Sequence, residues 1–341
     1  MSDLSQYTSF RVGGPAQKFV TASTESEIIN AVQSADAANL PILILGSGTN
    51  VLVGDNGFDG VVIQISSSQV QSEVDACSGA TLTIGAGENW DVFVASTIGR
   101  GFAGLETLSG IPGTVGAAPI QNIGAYGHEV SEFITRVRTY DRHAKELRTF
   151  TNGECNFTYR NSRFKAERDR YVVLEVQFQL RIGEFTTPIT YLELANSLGI
   201  AIGEKAPVIQ TRETVLKLRA SKGMLLNDKD HDSWSAGSFF TNPIISVQEA
   251  EHLPLEAPRW IQADGRVKTS AAWLMEHAGV HKGDEHLGAR ISSKHVLALT
   301  NSGNATASDI AALAKEAKEK VLNKFGISLV PEVNLVGVTL D

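Results

Sequence analysis

Apolar residues recur every three to four positions in several stretches of the chain, the spacing that places side chains on one face of an α-helix. The first stretch follows a capping-box pattern at Thr24 and Glu27 and predicts a helix over 25–38. The clearest stripe predicts a helix capped by Ser308 and ended by Gly326. The other predicted helices start at Trp90 and stop at Gly99, cover 213–218 with an end at Arg219, and cover 272–278 behind a cap at Thr269 or Ser270.

Other stretches alternate apolar and polar residues or form short apolar runs, as strands do. The alternation is clearest over 173–180, and the chain closes with a predicted strand pair interrupted by Pro331. The remaining predicted strands are ILIL, VLV, GVVIQI, TLTIGAG, FITRVRTYD and KELRTFT. Because helices and strands do not follow one another in regular βαβ units, the pattern predicts an α+β fold.

One stretch has neither period. Residues 105–127, which we call the glycine segment, contain a glycine every few positions, two prolines, and neither lysine nor arginine. Glycine allows main chain to come close to a ligand, and proline fixes the bends between glycines. A loop that cradles a flat cofactor is favoured over a purely structural loop, and the apolar residues of the segment argue against disorder.

A second glycine-rich turn, 46–50, lies between two predicted strands. A dinucleotide-binding fingerprint needs a third glycine and a helix directly after the turn, and this sequence has neither. Its backbone N–H groups fit a pyrophosphate nest, but the same five residues also fit a plain hairpin turn.

Composition and charge narrow the class of protein. The 341 residues suffice for two or three domains, and 42% hydrophobic with 20% charged residues is ordinary for a globular protein. A formal net charge of -8 argues against a general binder of nucleic acid or membrane surfaces. Any anionic ligand must therefore be held by locally placed cations.

The beginning of the chain lacks the pattern of a secretory signal, and no apolar run reaches the length of a membrane span, so a cytoplasmic location is expected. Cys77 and Cys155 have no metal-type spacing and are expected to be ordinary thiols. The spacing of His277, His281 and His286 is irregular, and no metal site is expected.

Several motifs then occur in a fixed order from Thr8 to Val333, nearly the whole chain. They are TSFRVGG, ILGSGTNVLV, GAGENW, GLETLSGIPGTVGAAPIQNIGAYG, YRNS, LRASK, GSFFTNP, QADGRVKTSAAWL and VPEV. Together they resemble the UDP-N-acetylenolpyruvoylglucosamine reductase family, flavoenzymes of peptidoglycan precursor synthesis. Tyr191, in PITYLEL, resembles the lid tyrosine of the family's longer subtype.

The resemblance implies an FAD-binding fold of the vanillyl-alcohol-oxidase type. It implies two FAD subdomains, 1–66 and 67–213, and a substrate domain, 214–332, with a final strand at about 333–341 that returns to the first subdomain. FAD would be bound without a covalent link, with its pyrophosphate on the 46–50 turn and its ring along the glycine segment. The cofactor residues implied are Gly46, Ser47, Gly48, Thr49, Asn50, Ser109, Gly110, Ile111, Pro112, Gly113, Gly116, Ala117, Ile120, Gly124 and Tyr126.

The reaction implied has two half-reactions. NADPH reduces the flavin at N5, and the reduced flavin passes a hydride to C3 of the enolpyruvyl group of UDP-N-acetylglucosamine enolpyruvate. Ser238 matches the family's proton donor to C2, Arg160 would bind the substrate carboxylate, and Glu332 would polarise it in its protonated form. We expect burial among Val330, Pro331 and Val333 to raise the pKa of Glu332.

The resemblance also implies a set of contacts to the UDP portion. They come from Tyr191, Arg219, Lys222, Asn242, Trp260 and Lys268. Trp260 stands where members of the longer subtype can carry a tyrosine, so the hydroxyl contact of that tyrosine is not carried over. Asn334 stands where the family often has an arginine, so a cation at that position is not carried over. The expected partners are the enolpyruvyl substrate and NADPH, with no nucleic acid and no membrane, and the chain is expected to be a monomer.

The sequence disfavours two other functions. A flavin oxidase of the same fold acting on an alcohol or sugar often carries covalent FAD, and the cofactor loops contain no histidine or cysteine for such a link except His128. A non-catalytic flavin or nucleotide binder would need no proton donor, which disfavours it because Ser238, Arg160 and Glu332 occur together.

Overall fold

The computed structural model describes residues 2–75, 77 and 79–340. By internal contacts the chain divides into two compact units, which we call unit 1 (1–16, 48–58 and 222–341) and unit 2 (17–47 and 59–221). The predicted cofactor and substrate domains remain a prediction, and their residues Met1, Ala76, Ser78 and Asp341 lie outside the described part.

The helices and strands of the described residues are as follows. The α-helices are α1 Glu25–Ala37, α2 Trp90–Gly99, α3 Arg163–Ala166, α4 Leu192–Leu198, α5 Val208–Ser221, α6 Val247–Glu251, α7 Ala271–His277 and α8 Ala307–Phe325. The strands are β1 Ser2–Asp3, β2 Pro15–Ala22, β3 Ile42–Leu45, β4 Val51–Val53, β5 Phe58–Ile65, β6 Val70–Asp75, β7 Gly79–Gly85, β8 Phe102–Ala103, β9 Gly124–Ala125, β10 His128–Glu129, β11 Ile134–Asp141, β12 Glu146–Thr151, β13 Tyr171–Ile182, β14 Ile244–Ile245, β15 Trp260–Ile261, β16 Val267–Lys268, β17 Glu285–His286, β18 Ala289–Ile291, β19 Leu299–Asn301 and β20 Asn334–Val336. Short 3-10 helices cover Leu4–Tyr7, Glu106–Leu108, Val115–Ala117, Val130–Glu132, Gly153–Cys155 and His231–Ser233.

Unit 2 is built on an antiparallel sheet in the order β12-β11-β13-β7-β6, with β8 paired to the end of β13. The alternation predicted over 173–180 is confirmed in the twelve residues of β13, although Val172, Val173 and Leu174 are buried in succession. Helix α2 covers this sheet, and the rings of Trp90 and Phe93 lie 6.1 and 5.0 Å from that of Phe178. The sheet and helix thus form one apolar core behind the glycine segment.

A second sheet of unit 2 contains the strands that flank α1. Strands β3 and β5 pair in parallel, and β2 lies on the other side of β5. Helix α1 begins at the predicted capping box of Thr24 and Glu27 and buries Ile28, Val32 and Ala35. The prediction for this helix is confirmed.

Unit 1 packs small sheets against α8. Strands β17, β18 and β19 form one antiparallel sheet, β14, β16 and β15 another, and β20 pairs in parallel with β4. The buried face of α8 includes Ile310, Leu313, Ala314, Ala317 and Val321, and the helix ends at Gly326 with φ 69°. None of the described helices combines the length and the apolar composition needed to cross a membrane.

Several sequence-based boundaries were wrong. The cap of α8 is Thr306, in a capping box with Asp309, and Ser308 instead donates its hydroxyl to Asp55. Helix α5 is longer than 213–218 and runs past Arg219, because its buried face includes the polar Thr211 and Arg219 and therefore lacks an apolar period. The strand pair around Pro331 is a single strand, β20, plus an isolated bridge from Pro331 to Phe240. Helix α4 was not predicted.

Asp55 anchors the N-terminus of α8 from a distant part of the sequence. Its carboxylate accepts hydrogen bonds from the N–H groups of Ala307 (2.7 Å) and Ser308 (3.0 Å) and from the Ser308 hydroxyl (2.6 Å). Burial raises the pKa of Asp55, but these hydrogen bonds outweigh it and the net pKa is lowered. A negative charge at a helix N-terminus also interacts favourably with the helix dipole.

We therefore predict that Asp55→Ala lowers the free energy of unfolding by about 1 to 2 kcal/mol at neutral pH. The difference from wild type should be present above pH ~4 and disappear as pH falls through the lowered pKa of Asp55. Urea unfolding between pH 7 and pH 3 measures both effects. Asp59→Ala, at an exposed aspartate with no described partner, is the control and should change little; equal losses in both variants would contradict the role of Asp55.

Candidate active site

The glycine segment has only short pieces of regular structure. Two 3-10 turns, at Glu106–Leu108 and Val115–Ala117, precede the β9–β10 hairpin. Its middle part packs against the turn after β7, where the N–H of Gly116 donates to the Ala86 carbonyl at 2.8 Å. A Cβ at Gly116 would lie 2.4 Å from the Cβ of Ala86, so this close approach requires glycine.

The turn at 111–113 of the glycine segment offers main-chain hydrogen-bond donors. Within the described chain, the N–H groups of Ile111 and Gly113 donate to no residue, although both residues are half-buried. Backbone donors are paired with protein, water or a ligand, so two such groups in one short turn are available to a ligand with acceptor atoms. A flavin ring carries nitrogen and oxygen acceptors along its edge, and the donor set therefore fits FAD.

Gly110 is held at both of its backbone groups. Its N–H donates to Asp91 Oδ1 at 2.6 Å, and its carbonyl accepts from Arg219 Nε at 3.0 Å. Arg219 is 8% exposed, and burial lowers the pKa of Arg219 to about 10, which leaves the guanidinium charged at neutral pH. The residue expected to contact substrate thus also fixes the glycine segment.

Arg160 lies against the far part of the glycine segment. Its backbone is left-handed, with φ 53°, and its Nη2 donates to the Gly124 carbonyl at 2.8 Å. Two residues later, the Ser162 hydroxyl donates to the Ile120 carbonyl at 2.6 Å. The YRNS motif is therefore docked on the glycine segment, which explains why Arg160 has a fixed place there.

Tyr191 meets the end of the glycine segment. Its ring lies edge-on to that of Tyr126, with centroids 5.5 Å apart, and it remains 43% exposed just before α4. Burial raises the pKa of Tyr126 to about 12, so its hydroxyl is neutral at physiological pH. The lid tyrosine implied by the resemblance is thus paired with a cofactor residue implied by the same resemblance.

The 46–50 turn is divided between the two units. In unit 2, the N–H groups of Gly46 and Ser47 donate to no described residue, so they are available to an anion. In unit 1, Gly48 is buried with φ 63°, and its carbonyl accepts from the Ser9 N–H at 3.0 Å. A Cβ at Gly48 would lie 1.8 Å from the Tyr7 carbonyl oxygen, so no other residue fits without a shift of main chain.

Unit 1 brings Ser238 and Glu332 to neighbouring backbone segments. The Phe239 N–H donates to the Leu297 carbonyl, and the Phe239 carbonyl accepts from the Glu332 N–H, both at 2.8 Å. Asn50 joins this group because its Nδ2 donates to the Glu332 carbonyl at 3.3 Å. We expected Glu332 to be buried among apolar neighbours, and this is wrong for Val330, which is 60% exposed. Glu332 itself is half-buried.

The other substrate residues of unit 1 lie around β16. Lys268 pairs across the sheet with Trp260, and its Nζ is 6.0 Å from the Trp260 ring centroid. Asn242 Oδ1 accepts from the N–H of Ala271, the first residue of α7, at 3.0 Å. Lys222 is half-buried directly after the end of α5.

The structure therefore places the expected residues in two groups. Unit 2 gathers Arg160, Tyr126, Tyr191 and Arg219 around the glycine segment, and unit 1 gathers Ser238, Glu332 and Asn50. No arrangement of three His, Cys, Asp or Glu side chains that would hold a metal ion occurs among the described residues.

Sequence reasoning missed Asp91, Arg212 and His128 as residues that support this site. The sequence pointed to these residues only indirectly. Arg212 lies two helical turns before Arg219, and His128 follows the last glycine of the segment. His128 Nδ1 lies 2.7 Å from Glu132 Oε2, and Nε2 lies 3.3 Å from the Thr187 hydroxyl. The Glu132 hydrogen bond raises the pKa of His128.

Comparison with known proteins also finds an FAD-binding domain in this chain. Residues 228–336 match the family model described as UDP-N-acetylenolpyruvoylglucosamine reductase, C-terminal domain, and residues 16–149 match an FAD binding domain. The chain is 52% identical to UDP-N-acetylenolpyruvoylglucosamine reductase of Cutibacterium acnes over 99% of this chain and 90% of that protein. It is 49% identical to the Streptomyces coelicolor protein of the same name, again over 99% and 90%.

A solved structure shows the same fold. The crystal structure of UDP-N-acetylenolpyruvylglucosamine reductase from Thermus caldophilus superimposes with a TM-score of 0.67 at 24% identity, covering 98% of this chain and 97% of that one. The predicted α+β fold with an FAD-binding domain is confirmed.

Gly48→Ala should lower the free energy of unfolding by at least about 2 kcal/mol, because alanine is strained at positive φ and its Cβ meets main chain. Urea unfolding measures the loss, and flavin absorbance of the purified protein measures retained FAD. Gly99→Ala is the control, since no atom lies within 4 Å of that Cβ position. A Gly48→Ala protein as stable as Gly99→Ala would refute this account of the turn.

His128 should stabilise the fold in a pH-dependent manner. Because its folded pKa is raised, its contribution is complete below the unfolded pKa of about 6.5 and is lost as pH rises through the folded value. The stability difference between wild type and His128→Gln should therefore be larger at pH 6 than at pH 9 in urea unfolding. Glu132→Gln should show the same pH dependence, and a difference independent of pH in either variant would count against the ion pair.

Proposed function

The chain belongs to the UDP-N-acetylenolpyruvoylglucosamine reductase family, and we propose that it reduces UDP-N-acetylglucosamine enolpyruvate to UDP-N-acetylmuramate with FAD and NADPH. The observation that carries this proposal is 52% identity across 99% of the chain, together with an FAD-binding domain in the same chain. The protein is an FAD-containing oxidoreductase of peptidoglycan precursor synthesis. A monomeric state and a cytoplasmic location remain predictions.

FAD would supply the redox chemistry, taking up hydride from NADPH and releasing it to the enolpyruvyl double bond. The residues that would hold it lie in two stretches, Gly46, Ser47, Gly48, Thr49 and Asn50, and Ser109, Gly110, Ile111, Pro112, Gly113, Gly116, Ala117, Ile120, Gly124 and Tyr126. The unpaired N–H groups of Gly46, Ser47, Ile111 and Gly113 within the described chain support this assignment. They can donate to pyrophosphate oxygens and to ring-edge atoms without any change in the protein's own hydrogen bonds.

Arg160 would bind the substrate carboxylate. As a hydride reaches C3 of the enolpyruvyl group, negative charge develops on C2 and spreads into the adjacent carboxylate. A guanidinium stabilises that charge with charge-assisted hydrogen bonds. Its anchorage to Gly124 at 2.8 Å supports this role, because the side chain is held in place before the substrate arrives.

Ser238 would complete the reduction by giving its hydroxyl proton to C2. A serine hydroxyl is a weak acid, so the step requires a strongly basic carbon and a fixed geometry. The backbone pairing of Phe239 on both sides supports a fixed position for Ser238. Glu332, on the neighbouring segment, would hydrogen-bond the substrate carboxylate and draw charge away from C2.

The UDP portion would be held by cationic, aromatic and amide side chains. The proposed contacts are Tyr191, Arg219, Lys222, Asn242, Trp260 and Lys268. Arg219 Nε donates to the Gly110 carbonyl at 3.0 Å, which fixes the position of the guanidinium charge. These local cations explain how a chain with a net charge of -8 binds an anionic substrate.

The function is tested by following the visible absorbance of flavin without oxygen. NADPH alone should bleach the absorbance, and the enolpyruvyl substrate should then restore it. Recovery that needs oxygen instead of this substrate would indicate an oxidase. Protein without flavin that takes up no FAD would remove the cofactor assignment.

Ser238→Ala should separate the two half-reactions. Bleaching by NADPH should proceed as in wild type, while recovery with the enolpyruvyl substrate should slow by about 10²- to 10⁴-fold, the range for loss of a general acid. Rapid mixing measures both rates. Ser34→Ala, at an exposed serine of α1, is the control, and normal recovery in Ser238→Ala would end the proton-donor assignment.

A further inference from the structure

The bond from Asp91 to Gly110 is part of a network of charged side chains. Both carboxylate oxygens of Asp91 accept from Arg212, with Nη1–Oδ1 2.7 Å and Nη2–Oδ2 2.8 Å. Such a two-point contact fixes the orientation of the carboxylate as well as its distance. Asp91 Oδ1 thus serves the Arg212 guanidinium and the Gly110 N–H at the same time.

Both arginines of the network come from one face of α5. Arg212 and Arg219 are seven residues apart, so their side chains lie on the same side of the helix, two turns from each other. Arg212 binds Asp91, which holds the Gly110 N–H, and Arg219 holds the Gly110 carbonyl at 3.0 Å. A single helix therefore controls both backbone groups of one glycine.

The network is charged at neutral pH. Burial raises the pKa of Asp91, but the hydrogen bonds from Arg212 and Gly110 and the charges of Arg212 and Arg219 outweigh it, and the net pKa is lowered. One carboxylate between two guanidinium groups is strongly oriented in a partly buried place. Its side chain is 34% exposed and that of Arg212 is 17% exposed.

The turn that follows Gly110 is held at its other end by α2, the helix that carries Asp91. The Gly113 carbonyl accepts from the Trp90 N–H at 3.1 Å, and Trp90 directly precedes Asp91 in the first turn of α2. Between the two ties stand Ile111, Pro112 and Gly113, where proline limits the backbone further. The N–H groups of Ile111 and Gly113 are those that donate to no described residue.

We propose that Asp91, oriented by Arg212, is a positioning residue that holds the 110–113 turn in the shape in which the N–H groups of Ile111 and Gly113 bind the flavin. This inference rests on the proposed function, since it requires FAD at the glycine segment. Asp91 and Arg212 touch no cofactor in this account and act through the turn. Arg219 is the second tie of the same turn, because its Nε donates to the Gly110 carbonyl.

The test compares FAD affinity with stability. Asp91→Asn keeps the shape and an acceptor for Gly110 but loses one of the two acceptors for Arg212, and Arg212→Gln releases Asp91 without altering any residue that touches the turn. Both variants should bind FAD at least tenfold more weakly in titrations of FAD-depleted full-length protein, and the absorption maximum of bound flavin should shift. Arg212→Lys, which keeps the charge but not the two-point contact, should be intermediate.

A matched ion pair provides the control. Arg142, the residue after β11, contacts both oxygens of Asp36 in α1 (2.6 and 3.3 Å), in unit 2 but without a contact to the glycine segment. Asp36→Asn should lower stability to urea as much as Asp91→Asn does, yet leave FAD affinity and the flavin spectrum unchanged. If Asp91 had only a structural role, Asp91→Asn and Asp36→Asn would have the same FAD affinity at equal stability.

The outcomes separate the inference from the proposed function. If wild type binds FAD and is bleached by NADPH, but Asp91→Asn and Arg212→Gln keep wild-type affinity and spectrum, the positioning role is refuted and the function stands. If wild type takes up no FAD, both are refuted. If Asp91→Asn alone fails to fold, the FAD affinity and flavin spectrum of Arg212→Gln test the positioning role.

Discussion

A backbone without helix or sheet must find hydrogen bonds elsewhere, and this constraint shapes the candidate site. Beyond the bonds within its own short turns, the glycine segment is bonded to the surrounding elements: Asp91 and Trp90 of α2, Arg219 of α5, and Arg160 and Ser162 of the YRNS motif. Each neighbour fixes a different part of the segment. The N–H groups of Ile111 and Gly113 remain without a partner in the described chain, so this turn keeps donors that the main chain of the protein does not use.

The same arrangement explains how an acidic protein maintains a cationic site. Arg160 donates from Nη1 and Nη2 to the carbonyls of Asn122 (3.4 Å) and Gly124 (2.8 Å), and Arg219 donates from Nε to that of Gly110 (3.0 Å). A guanidinium carries its positive charge and five N–H donors in one planar group, so bonds to the protein fix the place of the charge. Lysine has a flexible stem and a single nitrogen, and it would not hold a loop and a ligand in one fixed geometry. The positive charge is thus local and oriented, while the rest of the surface keeps a net negative charge.

Local signals in the sequence predicted α1, α8 and β13, because capping, apolar spacing and alternation all act over a few residues. The extent of α5 was not predictable, since its buried face carries Arg219 and Thr211, which are buried by tertiary contacts. Ser308 resembled a cap, but its hydroxyl is bonded to Asp55 from 253 residues away. For the site, the order of the motifs predicted Arg160, Ser238 and Glu332, whose roles stay proposals. The pairing of Asp91 with Arg212 was not predictable from sequence spacing, because the two residues are 121 positions apart.

The order of the chain through unit 1 has a consequence for biosynthesis. Strand β4 pairs with β20, Asp55 binds the start of α8, and Phe10, Val12 and Leu52 share a core with residues beyond 239. A ribosome releases the chain from its N-terminus, so residues 1–16 and 48–58 leave the exit tunnel long before their partners exist. Most of unit 2 is continuous from 59 to 221 and has its strands and helices available first. Unit 1 is therefore completed last, and a ribosome that stops shortly before residue 334 leaves β4 without its partner strand.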